Sequence, residues 1–238
     1  MPPEARPLQL RSLATMGQYR RPYEITAQFL GAASDVLDWG CGNGHFSRFL
    51  LAQGRSVCGY SYEPPPEFVL SDPRFLFVPG VTDDPRSLPF ADATFDAVFS
   101  VGVLEHVHEL GGDEQTSVAE VVRVLRPGGR FFVFHLPNRT SWIEGAARLH
   151  NRIRATPVHV HHRRFGSRDV SALFAPHGVR VIARGRYAAF PRNSLGRLPR
   201  AVRDSPLACG ALANLDKTLG ALIPALCQNW YVVVEKQR

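Results

Sequence analysis

Short apolar runs at 34–40, 55–61, 74–80, 95–101 and 129–137 alternate with stretches where apolar residues recur every three or four positions, at 45–54, 104–110 and 115–129. The runs predict strands and the wider spacing predicts helices. Strand–helix alternation with near-continuous apolar strands predicts a parallel sheet covered on both faces. A helix over 23–31, closed by Gly31, follows a Pro- and Arg-rich opening that reads as loop. Pro127-Gly128-Gly129 stops the helix predicted over 115–129. Further on, the pattern predicts a helix over 167–178, a strand over 178–185 and a final strand over 229–236. Residues 187–227 separate those last two strands. A structureless loop of that length is uncommon, so this stretch predicts one or two helices.

The 238 residues, 45% hydrophobic and 21% charged, suffice to bury a core and are too apolar for disorder. No run of 18 apolar residues exists, and the first residues lack the continuous apolar segment of a secretory signal. Cys41, Cys58, Cys209 and Cys227 show no CxxC spacing and read as reduced thiols of a cytoplasmic protein. Charge is uneven. Residues 1–120 carry 8 Lys/Arg against 16 Asp/Glu, residues 121–238 carry 20 against 5, and together they give the net +7. Nearly all the cations are arginine, whose forked guanidinium suits carboxylate and phosphate. An acidic half and a basic half that meets an anionic substrate is one reading, and a habitual preference for arginine is the other.

The strongest local signal is Val36-Leu37-Asp38-Trp39-Gly40-Cys41-Gly42-Asn43-Gly44, a buried strand ending in a glycine-rich turn that opens a helix. Glycine there permits a close backbone approach. The spacing is GxGxG rather than GxGxxG, which disfavours a nicotinamide dinucleotide.

Two further segments follow in order: SLPFADATFDAVFSVGVLEHV and EVVRVLRPGGRFFVFHLPN. With the glycine turn, over residues 20–186, this set resembles the class I S-adenosylmethionine-dependent methyltransferases, in the branch sharing LPF-x-D-x-x-FD, LEHV and LRPGG. The resemblance implies a Rossmann-like α/β fold: a mostly parallel seven-stranded sheet with an antiparallel last strand and helices on both faces. It implies one domain over 1–238, with an N-terminal helical extension to about 32 and a helical cap or insertion over about 187–227. It further implies S-adenosylmethionine as cofactor, with Asp38 and the Gly40, Cys41, Gly42 and Gly44 backbone around its methionine part. Ser100 and Val101 would lie beneath it, and Asp83 or Asp84 would recognise adenine. The family has an acid at the end of the second strand to hold the ribose. Here Ser61 stands at that place and Glu63 two residues later, so either Glu63 reaches back or Ser61 holds the ribose.

A hydroxyl acceptor must lose a proton, and histidine is the side chain best tuned for that near neutrality. His161, in HVHHRRFGSRDV, resembles the family's H-x-x-R-aromatic stretch and is favoured as base over His135, which ends the fifth strand. Arg163 and Arg164 would orient an anionic acceptor. His106, in LEHV, reads as structural. Some related quinone-pathway enzymes hold a divalent ion with an acid-x-x-Glu-His pattern. Gly102 occupies the first acidic position here, so no metal is expected. The trio His159/His161/His162 has no Cys or acid at zinc-ligand spacing.

The favoured function is O-methylation of a small-molecule or glycan/lipid-linked acceptor. The competing readings are a nucleic-acid methyltransferase, for which no appended RNA-binding motif or NPPY-like tetrapeptide exists, and a non-catalytic cofactor-binding protein on the same fold. The apolar stretch 205–227, broken by Asp216-Lys217 and Pro224, reads as a packing lobe, a cap, or a shallow membrane-surface patch beside its arginines.

Overall fold

In the computed structural model the described residues are 12–80, 87–154, 156 and 158–238. The first elements among the described residues are α1 (Leu13–Met16), a 3₁₀ turn and α2 (Arg20–Phe29). It continues through β1 (Asp35–Trp39), α3 (His45–Ala52), β2 (Ser56–Ser61), α4 (Glu67–Leu70), β3 (Phe75–Pro79) and β4 (Phe95–Val101). A 3₁₀ helix at Leu104–Leu110 leads to α5 (Glu114–Val124), β5 (Leu125–Pro137) and α6 (Trp142–Ile153). The remainder is α7 (Ser167–Phe174), β6 (Val179–Tyr187), α8 (Arg192–Leu195), α9 (Arg200–Arg203), α10 (Pro206–Leu222) and β7 (Asn229–Lys236).

The seven strands form one sheet in the order β3-β2-β1-β4-β5-β7-β6, with the last strand antiparallel to the rest, as expected. Leu37 is paired with Cys58 on one side and Val98 on the other, and Val98 with Phe131. Because central parallel strands are covered, Leu37, Ala97, Val98, Phe99 and the whole run Phe131–Phe134 are fully buried. Phe99 and Phe132 stack at 4.6 Å between centroids, and Phe46 of α3 packs against Phe99 and Phe134 at 5.4 and 6.0 Å. Such pairs contribute about 0.5–1.5 kcal/mol each beyond their buried area. Strand order reverses between β1 and β4, the place where open α/β sheets bind ligands beyond their carboxyl ends.

Several elements differ from the pattern. Helix α5 ends at Val124 instead of running to Gly129, and residues 125–129 belong to β5. The register slips here: Phe95 pairs with Leu125, but Ala97 pairs with Arg130. Pro127 disfavours a helical Arg126 and lacks an N–H, and Gly128 turns with φ +78°. Arg126 then bridges Asp96 and Asp35 at 2.7 and 3.0 Å. The LEHVHEL segment is 3₁₀ rather than α-helical. Helix α6 is absent from the sequence reading, and 187–227 holds three helices and a 3₁₀ turn.

The chain divides into two compact units. One comprises 26–136, 165–184 and 231–238 and holds most of the sheet. The other comprises the described parts of 1–25, 137–164 and 185–230 and is mainly helical. In the helical unit the Trp142 indole donates to the Ala189 carbonyl (2.8 Å), and Asp216, buried on α10, accepts from the Phe190 amide (3.0 Å). The Arg186 guanidinium lies 3.9 Å from the Trp230 ring centre. None of the helices among the described residues is long and apolar enough to cross a membrane.

Candidate active site

In the sheet unit, β1 ends at Trp39 and passes into a turn pinned to β2: the Gly40 and Cys41 amides donate to the Tyr60 carbonyl at 2.7 and 3.3 Å. Gly40 has φ +77°, and a Cβ there would sit 2.2 Å from Val103 Cγ2. The turn closes only because that atom is missing. Gly42, at φ +46°, is different: a Cβ on it would meet nothing nearer than 3.9 Å. It borders open space that a ligand can fill. At Gly44 a Cβ would press on Pro65 and Val69 at 3.0 Å, so this glycine serves packing against α4.

A cleft of about 210 Å³ opens beside this turn, lined by Trp39, Gly40, Tyr60, Ser61, Tyr62, Gly80, Ser87, Leu88, Gly102, Val103, His106 and Val107. Of the cofactor-binding residues expected from the sequence, Gly40 and Ser61 line it. Asp38 is buried and accepts the Ser47 hydroxyl at 2.6 Å, so it props the start of α3 instead of facing the cleft. Burial pushes its carboxyl up to about 6 against the opposing Ser47 hydrogen bonds. Ser100 is likewise buried, its Oγ accepting from the Leu104 amide at 3.2 Å, and Val101 is half-buried at the end of β4. Cys41 is buried and its thiol donates to Ser61 Oγ at 3.4 Å, while burial pushes its pKa up to about 11. Ser61 in turn donates to the Glu63 carbonyl oxygen at 2.6 Å, and the Glu63 side chain is exposed. Asp83 and Asp84 lie outside the described residues.

The aromatic lining from Trp39, Tyr60 and Tyr62 escaped the sequence reading, although Trp39 directly precedes the glycine turn. His106, read as structural, lines the cleft, with Nδ1 2.9 Å from Glu109 Oε1. Beside it Glu105 is fully buried, and among the described residues its Oε2 has no hydrogen-bond partner. Desolvation pushes that carboxyl up to about 8, with the Glu109 charge adding to the rise. His135 sits at φ +63°, a left-handed conformation uncommon outside glycine.

His161 belongs to the helical unit, where it is tied to a residue the sequence reading did not pick out. Its Nδ1 is 2.8 Å from Oε1 of Glu144, and its amide donates to Oε2 at 3.2 Å. Glu144 is buried on α6. Burial raises its pKa, but hydrogen bonds from His161 and Gln228 and the His161 charge outweigh that and hold it below the usual carboxylate range. An acid thus accompanies the histidine segment, 17 residues away in sequence. Arg148 donates to the His161 carbonyl and Arg164 to the Arg139 carbonyl, both at 3.3 Å, whereas Arg163 is exposed.

A methyltransferase-domain family model matches residues 37–133. A Mycolicibacterium smegmatis protein named a probable S-adenosylmethionine-dependent methyltransferase is 31% identical over 75% of this chain and 67% of its own length. An Aspergillus sclerotiorum O-methyltransferase is 27% identical over 58% of this chain and 54% of its own. The chain spans about half the length of several other curated relatives it matches. Among solved structures, the Burkholderia thailandensis 1,6-didemethyltoxoflavin-N1-methyltransferase, with its substrate and S-adenosylhomocysteine bound, superposes with a TM-score of 0.59. It shares 20% identity over 93% of this chain and 79% of that one, which is a likeness of fold.

The chain therefore belongs to the class I S-adenosylmethionine-dependent methyltransferases, and S-adenosylmethionine is its cofactor. The residues present fit that molecule: the backbone beside Gly42 leaves open space, and three aromatic side chains line the neighbouring cleft.

Proposed function

We propose that the chain methylates an oxygen of a small-molecule or glycan/lipid-linked acceptor bearing an anionic group, with His161 as general base. The observation that carries this reading is the Glu144–His161 pair. Glu144, buried and ionised, fixes the proton on Nδ1 and leaves the lone pair of the neutral ring on Nε2. His161 Nε2 then accepts the acceptor's hydroxyl proton, and the Glu144 carboxylate stabilises the imidazolium that forms. When bound, S-adenosylmethionine supplies an electrophilic methyl group on a positively charged sulfur. The turn at Gly40, Gly42 and Gly44 holds its methionine part and Ser61 or Glu63 its ribose. Arg148 and Arg164 supply positive charge for the anionic group of the acceptor. Gly102 in place of an acid supports chemistry without a metal. The O-methyltransferase name of the Aspergillus relative supports oxygen as the target.

His135 is the second candidate base, favoured by its left-handed backbone and by its place in the same unit as the cleft. A Cβ on the cleft residue Gly102 would lie 3.9 Å from His135 Cβ. The test incubates the protein with S-adenosylmethionine and a panel including a hydroxybenzoate and a hexose phosphate, and reads S-adenosylhomocysteine release and the methylated atom. With a turned-over acceptor, His161→Ala and Glu144→Gln should lower kcat by roughly 10²–10⁴-fold and 10-fold or more, with KM little changed and no effect of a chelator. Full activity in His161→Ala with loss in His135→Ala transfers the role to His135. Methylation on nitrogen refutes the oxygen assignment.

A further inference from the structure

Helix α6 is built inside out. One face carries Glu144, which is buried against His161, Arg148, which is half-buried on the His161 carbonyl, and Asn151, which exchanges 2.8 Å hydrogen bonds with the Val158 backbone. Its outer face carries Trp142, Ala146, Leu149 and Ile153 at i, i+4, i+7 and i+11, with Leu149 58% and Ile153 70% exposed. An amphipathic helix of a water-bathed protein presents the opposite arrangement. Helix α10 also buries a charged residue, Asp216, and exposes Leu207, Leu215 and Leu222 alongside Asn214, Lys217 and Thr218. The chain leaving α10 continues the apolar surface through Ile223 and Leu226. That turn is fastened beside the start of α6, since Asn138 Nδ2 and Thr140 Oγ1 both donate to the Ala225 carbonyl, at 2.8 and 2.5 Å. All of these residues belong to the helical unit.

The charge around this surface has one sign. Residues 139–164 contain six arginines and a single acid, Glu144, which is buried. Arg139, Arg152, Arg154 and Arg163 are exposed. We infer that the outer face of α6, together with the 222–226 turn, docks on an anionic lipid bilayer. Apolar side chains enter the headgroup–acyl boundary, and long arginine side chains alongside reach lipid phosphates. None of the helices among the described residues is long and apolar enough to cross the bilayer, and the proposed contact lies along its surface. Pairing with a second copy would set an arginine-rich rim against itself, whereas an anionic surface neutralises it. The inference does not depend on which atom the enzyme methylates.

The test is co-sedimentation of the full chain with phosphatidylcholine vesicles, with and without phosphatidylglycerol, at low and high salt. Retention should require phosphatidylglycerol and fall with salt. Leu149→Glu with Ile153→Glu, both at exposed sites, should weaken binding at least about tenfold and leave S-adenosylhomocysteine binding intact as evidence of a native fold. Arg152→Glu with Arg154→Glu should also weaken it and flatten the salt dependence. Binding indifferent to phosphatidylglycerol, or unchanged in the Leu149/Ile153 variant, overturns the inference. So does a dimer in light scattering that this variant converts to monomer.

Discussion

Replacing Glu105 by glutamine removes a carboxyl that is fully buried, with one oxygen unpartnered among the described residues. Burial pushes its pKa from 4.5 up to about 8. Between those values the native chain keeps a proton that the unfolded chain releases, so stability falls as pH rises through this window, and the loss is complete above about 8. Each tenfold change in proton affinity is worth about 1.4 kcal/mol, so the cost is roughly 3 kcal/mol at pH 7 and about 5 above pH 8. Glutamine is close in shape to the neutral acid and does not titrate. The two proteins should therefore agree to within about 1 kcal/mol near pH 4.5, and Glu105→Gln should become progressively the more stable as pH rises. Two other buried groups titrate nearby. Asp38 is pushed up to about 6 and also costs stability as pH rises, whereas desolvation pushes His45 down to about 4 and costs stability as pH falls. Both are present in parent and variant, so their effects cancel in the difference. Urea unfolding followed by circular dichroism at pH 4.5, 7 and 9 measures it. Parallel stability–pH curves would refute the reasoning and mean that Glu105 is ionised in the folded chain.

Gly40→Ala places a methyl against Val103 at φ +77° and should cost both stability, by about 1–3 kcal/mol, and S-adenosylhomocysteine affinity. Gly42→Ala has room in the bare fold and should cost affinity with a smaller loss of stability, as calorimetry and thermal melts would show. Equal affinity in Gly42→Ala and parent means that the space beside Gly42 is not where the cofactor lies. At the ribose, one carboxylate accepts from two hydroxyls, so Glu63→Gln should weaken cofactor binding about tenfold or more and Ser61→Ala less. The reverse order in titration calorimetry assigns the ribose to Ser61.

The apolar runs and the glycine turn were legible because they answer to local rules. A covered parallel strand must be apolar throughout, and the positive φ at Gly40, Gly42 and Gly44 excludes most side chains whatever surrounds them. The order of motifs along the chain was enough to identify the family and so the antiparallel last strand. Tertiary structure decided the rest. Pro127 and Gly128 mark the end of α5 locally, but the pairing of Leu125 with Phe95 and of Arg126 with Asp35 and Asp96, 91 and 30 positions away, exists only in the fold. Asp38 has the look of a ligand-binding acid in the sequence, and only the fold shows its Oδ2 accepting from the Ser47 hydroxyl at 2.6 Å. Helix α6 carries a legible apolar stripe, Trp142, Ala146, Leu149 and Ile153, but only the fold shows that this stripe faces outward while Glu144 faces inward. Glu144 became meaningful only when folding set it against His161. A backbone preference is a property of a few adjacent residues, whereas the partner of a buried charge is chosen by the whole fold.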